Sequence, residues 1–190
     1  MFSISRPTTL DVQRFVAAQR HLPHSYKEVG ATQHTLPSGY DIDHNRMLLG
    51  SGKGTFVRAQ KALQHWEMFN LRWLSLHEPT APIAVGTTVA VLARVWSLWI
   101  MNACRIVYVI DEQGDTVTFG FAYGTLPGHA EQGEERFTVL WHHADDSVWY
   151  DILAFSRPHY RLARFGYLYV RHLQRRFARD SLQAMLAASR

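Results

Sequence analysis

The sequence predicts an α+β fold, a curved antiparallel sheet of about seven strands closing on one long C-terminal helix, with an extra N-terminal helix. Three observations predict it. Short runs rich in β-branched and aromatic residues, separated by turn residues, fill the middle of the chain from 71 to 155. One of them, 116–126, alternates cleanly. Val117, Phe119, Phe121 and Tyr123 share one face, and Thr118, Gly120, Ala122 and Gly124 share the other. After Pro158 the pattern changes to a helical period that runs towards Ala188.

The elements follow in order. Residues 10–22 place apolar side chains at 12, 15, 16 and 22 between Pro7 and Pro23, which suits a short helix. Residues 24–39 read as a loop punctuated by Gly30, Pro37 and Gly39. Residues 41–50 read as the first strand and 50–52 as a turn. A helix capped by Thr55 then runs to Trp66, with Phe56, Ala59, Leu63 and Trp66 on one stripe. Strands follow at 71–77, 87–95 and 98–111, the last broken near Asn102. A tight turn carrying Gly114 leads into 116–126. The small residues on its second face let the sheet bend or let another group approach closely. Residues 127–136 read as a polar loop, and 136–143 with 148–155 as a last hairpin around Asp145 and Asp146. Pro158 fits the first turn of the final helix. Leu162, Phe165, Tyr169, Leu173 and Phe177 form its apolar stripe, with Arg164, Arg171, Arg175 and Arg179 mostly elsewhere.

At 190 residues the chain fits one domain. Six Trp, eight Tyr and ten Phe are enough both to fill a core and to line a cavity for an apolar ligand. Cys104 is the single cysteine, so no disulfide forms within the chain, and a reducing, cytoplasmic setting is expected. The N-terminus lacks the apolar core of a secretory signal. Residues 81–101 are nearly apolar, but Arg94 interrupts them and their β-branched pattern suits two strands, so no membrane span is expected. Residues 157–190 hold eight Arg against one acid, Asp180, which reads as a solvated helix face or a surface for acidic partners. No nucleic-acid motif accompanies these charges, so nucleic acid is not an expected partner.

From about Tyr40 onward the chain resembles domain-of-unknown-function family 1990, an uncharacterised bacterial and plant family. The matching blocks are YDIDHNRMLLGSG (40–52), GTTVAVLARVWSLW (86–99), NACRIVYVIDE (102–112), FGFAYGTLPGHAEQGEERF (119–137) and SVWYDILAFSRP (147–158). The order of elements also resembles the helix-grip fold of the START-like superfamily, which includes the birch pollen allergen, with one helix rather than two between the first and second strands. These resemblances divide the chain into an N-terminal helical extension, 1–39, and a helix-grip domain, 40–190. They imply an internal cavity for a small hydrophobic or amphipathic molecule. A minority of the superfamily are enzymes, and fold alone does not fix function.

The polar loop offers His129 as an acid or base, with Glu131, Glu134 or Glu135 to orient it. Gly124, Gly128 and Gly133 give that loop the freedom of a lid. Glu134 and Glu135 are adjacent, so on a strand they point to opposite faces and at most one joins a given site. Asp151 shares a strand face with Trp149, Leu153 and Phe155, and if that face is inward it needs a partner such as Arg136, Arg105 or Arg94. Asp43 with Asn45, or His44 with Arg46, could reach a cavity mouth or protect a sheet edge.

Other chemistry is weakly represented. Adjacent His142 and His143 diverge on a strand, and there is neither an H-E-x-x-H nor a cysteine pair, so no metal site is expected. GSGKGT (50–55) lacks phosphate-loop spacing. Neither a nucleophile elbow nor a dinucleotide fingerprint occurs, and no cofactor is expected. The expected site comprises Tyr123, Phe121, Trp149 and Tyr169 as walls, with Asp151, Arg94 or His129 as polar anchors. The alternatives are an enzyme using His129 with Glu131 or Asp151, and an interaction protein presenting its arginine-rich helix.

Overall fold

The computed structural model describes residues 2–159 and 167–190. A two-residue strand β1 (Phe2–Ser3) leads into α1 (Thr9–Gln19). Thr8 caps α1 in a reciprocal box with Asp11, satisfying two otherwise free N–H groups. β2 (Asp41–Ser51) runs into α2 (Gly52–Gln64). β3 (Leu74–Leu76), β4 (Thr88–Val95), β5 (Leu98–Glu112), β6 (Thr116–Thr125), β7 (Glu131–His142) and β8 (Ser147–Pro158) follow, and α3 (Tyr167–Ala188) ends the chain.

The sheet order is β2-β8-β7-β6-β5-β4-β3, antiparallel throughout, with β1 added beside β5. Consecutive strands from β3 to β8 are therefore neighbours, while β2 crosses to the far edge. α2 and α3 pack on the concave face, which is the expected helix-grip arrangement. The inner faces of β6, β7 and β8 carry Phe121, Phe137 and Tyr150, all fully buried in the main core. α1 lies on the convex side, where Val12 meets Ala90, Leu92 and Met101 in a second cluster.

Several local expectations are corrected. Thr55 is not a cap: its hydroxyl donates to the Ser51 carbonyl one turn back, and Ser51 occupies the N-cap position. The helix after β2 is continuous and ends at Gln64, just before Trp66, which takes a left-handed conformation at φ 56° and leads into a short 3-10 turn, Glu67–Phe69. Burial of the Trp66 ring and its indole N–H donated to Ala81 O hold that strained backbone in place. Residues 71–77 shrink to the three-residue β3. β5 runs unbroken past Asn102, with its register shift between Ile106 and Tyr108. Residues 131–136, expected in a loop, begin β7. Pro158 ends β8 instead of opening a helix. Leu162, Arg164 and Phe165 lie outside the described residues.

Candidate functional site

A cavity of about 400 Å³ lies between α3 and the concave face of the sheet. Its apolar wall comes from Phe69, Trp73, Leu74, Ile100, Ile152 and Phe177, among others. Three elements supply its polar end. β2 contributes Asp43, β7 contributes Glu131 and Glu135, and α3 contributes Gln174.

Alternation along β7 explains the carboxylates. Glu131, Gly133 and Glu135 line the cavity from β7, and the glycine admits the close approach of the Phe155 carbonyl of β8, 1.9 Å from where a Cβ would lie. Glu135 sits opposite Tyr123 in the sheet register, and the Tyr123 hydroxyl donates to it at 2.8 Å. Gln174 donates from its amide to Glu131 and also to Ser156 Oγ, at 2.8 Å to the latter. Arg171 grips Asp43 with both guanidinium nitrogens at 2.5 and 2.7 Å and reaches Gln174 Oε1 at 2.6 Å. This chain of bonds ties α3 to β2 and β7 beside the cavity.

Burial dominates the ionisation of this end. It pushes the Glu131 carboxyl up to about 8, aided by the neighbouring charge of Glu135 and opposed by Arg171. It pushes Glu135 up to about 7, against the hydrogen bond from Tyr123. It lowers His129 to about 4, so that ring is neutral at physiological pH. Burial also raises the Tyr123 phenol and the Cys104 thiol well above their ordinary values, which makes Cys104 a packed side chain and not a nucleophile.

The residues expected at the site divide. Tyr123 and His129 line the cavity. Phe121 is buried beneath it, against Trp66 and Phe137. The other four lie elsewhere. Arg94 is exposed on the face of β4 opposite Val91 and Ala93. Trp149 lies on the convex face of β8 under the Arg46 guanidinium, 4.3 Å from the ring centroid. Asp151 is on that same face, bonded to His44 Nε2 at 2.7 Å, with Arg136 at 3.5 Å forming an ion pair too poorly aligned to count as a hydrogen bond. Tyr169 is partly exposed at the start of α3 and stacks against Trp96 and His172.

His129 is not poised against a carboxylate. Its Nδ1 accepts the backbone N–H of Glu131 at 2.9 Å. Arg105, considered as a partner for Asp151, instead donates to the carbonyls of Gln19, Arg20 and Leu22 at the end of α1. The helix arginines are partly engaged within the chain: Arg176 stacks on Trp73, and Arg176 and Arg179 both pair with Asp180. Among the described residues no group of three or more His, Cys, Asp or Glu is placed to hold a metal ion, and no helix is long and apolar enough to cross a membrane.

Glu135 was legible as one of an adjacent pair, of which one at most could join a site. Asp43 was legible as a residue that could reach the cavity mouth, but its pairing with Arg171 and Gln174 was not, because more than a hundred residues separate it from them and no motif marks the pair.

The chain belongs to the family described as Domain of unknown function (DUF1990), whose model matches residues 25–184. A UPF0548 protein of Dictyostelium discoideum is 34% identical, over 99% of this chain and 95% of that one. A UPF0548 protein of Deinococcus radiodurans is 34% identical over 100% of this chain and 99% of that one. A third, from Arabidopsis thaliana, is 35% identical over 78% and 73%. The relatives thus extend beyond bacteria and plants. The crystal structure of hypothetical protein jhp0584 from Helicobacter pylori shares the fold at a TM-score of 0.53 and 9% identity, covering 79% of this chain and 88% of that one. Ara h 8.0201 gives a looser likeness, with a TM-score of 0.43 at 10% identity over 78% and 99%.

Proposed function

We propose that this member of the DUF1990 family binds a small hydrophobic or amphipathic molecule in the cavity between α3 and the concave face of its sheet. The cavity itself, about 400 Å³ in volume, carries the reading. Protein interiors are packed to crystal-like density, and voids larger than a water molecule are few. A space of this size, mostly apolar with a few convergent polar groups, has the composition of a small-molecule site. Phe69, Trp73 and Phe177 would receive the apolar body, while Glu131, Glu135 and Tyr123 would meet a polar end.

Native mass spectrometry of freshly purified protein, followed by organic extraction, tests the reading. The expected result is a stoichiometric small molecule on the wild-type chain that is absent from Ala93→Trp, which fills the cavity from its β4 wall. Ligand-free wild-type protein that also takes up no member of a panel of apolar and amphipathic compounds would overturn it.

A further inference from the structure

We propose that the cavity selects a molecule bearing a basic nitrogen, an alkyl or aryl amine, whose ammonium group sits between the carboxyl groups of Glu131 and Glu135. This inference rests on the cavity reading above and names the ligand class.

The first argument is unused acceptor capacity. A carboxylate offers about four lone-pair positions. Glu135 uses one for Tyr123, and Glu131 uses one for Gln174. Among the described residues neither glutamate forms an ion pair. Both residues line the cavity, and so do the groups they bond, Gln174 and Tyr123. Gly133 stands between them on the same strand and lines the cavity with them. An ammonium group carries up to three donors and no acceptor, which complements this surface.

The second argument is the balance of charge. The elements around the cavity present Asp43 from β2, Glu131 and Glu135 from β7, and Arg171, Arg175 and Arg179 from α3, with Asp41 close behind Asp43. Arg171 is engaged bidentately by Asp43. Arg175 and Arg179 have exposed side chains at the rim, and Arg179 is bonded to Asp180. His129 is held neutral by burial. Tyr123, Tyr150 and Cys104, the remaining titratable groups near Glu135, are all held in their neutral forms by burial. Among the described residues, therefore, no free cation in the interior matches its carboxyl groups. The aromatic walls at Phe69, Trp73 and Phe177 add faces that tolerate a cation.

The third argument is proton balance. Without a guest, burial favours the protonated carboxyl groups. An entering ammonium ion replaces the proton: glutamic acid plus alkylammonium gives a glutamate–ammonium pair and one released H⁺. Amine affinity therefore rises with pH across the range where the empty site still holds its proton. A ligand that instead accepts a hydrogen bond from the neutral carboxyl would show the opposite dependence.

Isothermal titration of the full chain with decylamine, 1-decanol and decanoic acid separates these cases. At about pH 8, decylamine is expected to bind at least about tenfold more tightly than decanol. At about pH 6 that advantage shrinks. Repeating the titration at about pH 7, where the empty site still holds its proton, in buffers of different ionisation heat should reveal about one proton released per amine bound. In Glu131→Gln/Glu135→Gln the ratio of amine to decanol affinity should fall towards one. The proton count on wild-type protein keeps the test decisive if that variant does not fold. Decanol or decanoate binding as well as decylamine would overturn the inference while leaving the cavity reading in place. Amine binding without proton release, or failure of decylamine to bind, would also overturn it.

Discussion

Glu134 and Glu135, neighbours in the chain, are fixed on opposite sides of the same strand. Glu135 faces the cavity and receives the Tyr123 hydroxyl. Glu134 faces the convex side and accepts from the Tyr26 hydroxyl at 2.7 Å, the Gly30 N–H at 2.7 Å, and the Thr32 N–H and hydroxyl at 3.0 and 2.5 Å. One carboxylate thus gathers residues 26–32 onto the back of the sheet while its neighbour opens onto the interior.

Replacing Glu134 with Ala removes the acceptor for all four donors and leaves several of them buried. The expected loss is about 3 kcal/mol, since charged hydrogen bonds contribute about 1.5–3 kcal/mol and stranded buried donors add to the cost. Urea denaturation would read it. A change within about 0.5 kcal/mol would mean that water substitutes for the carboxylate.

Gly124 is where Tyr26 crosses β6 on its way to Glu134. A Cβ there would lie 2.1 Å from the Tyr26 hydroxyl oxygen. Gly124→Ala should therefore displace Tyr26 and cost about 1–3 kcal/mol, the usual range for overpacking. Pairing it with Tyr26→Ala should recover part of that loss in a double-mutant cycle. Strictly additive effects would argue against the clash.

Stability should fall as pH rises through the range set by Glu131 and Glu135. Their folded-state pKa values, about 8 and about 7, lie above the ordinary 4.5. Between those limits the folded chain binds more protons than the unfolded one, so the stabilisation is complete below about 4.5 and lost as pH passes 7 to 8. His129 acts in the opposite direction. Its pKa falls from 6.5 to about 4, so its contribution is lost as pH drops through that interval. Denaturation at a series of pH values should show a decline on the alkaline side that flattens in Glu131→Gln/Glu135→Gln. Parallel profiles for the two proteins would contradict the assignment.

Arg105 fastens α1 through the carbonyls of Gln19, Arg20 and Leu22, at 3.2, 2.8 and 2.7 Å. A cation at a helix C-terminus is favourable, and among these carbonyls Gln19 O also accepts the Leu22 N–H at 3.1 Å. Arg105→Ala should cost about 1–2 kcal/mol and raise amide exchange across α1, with less effect on β6 and β7. Unchanged exchange in α1 would show that Val12 and its apolar neighbours hold the helix unaided.

Trp73 lines the cavity, while its indole N–H donates to Asp180 at 3.0 Å. Trp73→Phe should cost about 1 kcal/mol for the lost bond. It should also abolish most of any fluorescence change that accompanies ligand uptake. A full fluorescence response in the variant would move the ligand away from this wall.

By itself the sequence determined the order of elements, the long hairpins, and that Val117, Phe119, Phe121 and Tyr123 share one face of β6. Strict alternation, with small residues opposite, fixes that grouping, and the fold turned it inward. The sequence also determined that Glu134 and Glu135 part company, because side chains on a strand alternate. Tertiary structure decided which way β8 faces. Val148, Tyr150 and Ile152 point inward, whereas Trp149, Asp151 and Phe155 point out. Both rows are rich in apolar residues, because residues 24–40 cover the convex side, with Tyr26 and Tyr40 packed edge-on against Phe155. A sheet covered on both faces gives no hydrophobic signal of which is the interior. The polar end of the cavity was likewise decided by folding: Asp43, Glu131, Glu135 and Gln174 come together through the crossover of β2 and the packing of α3, contacts between distant segments that no local pattern records.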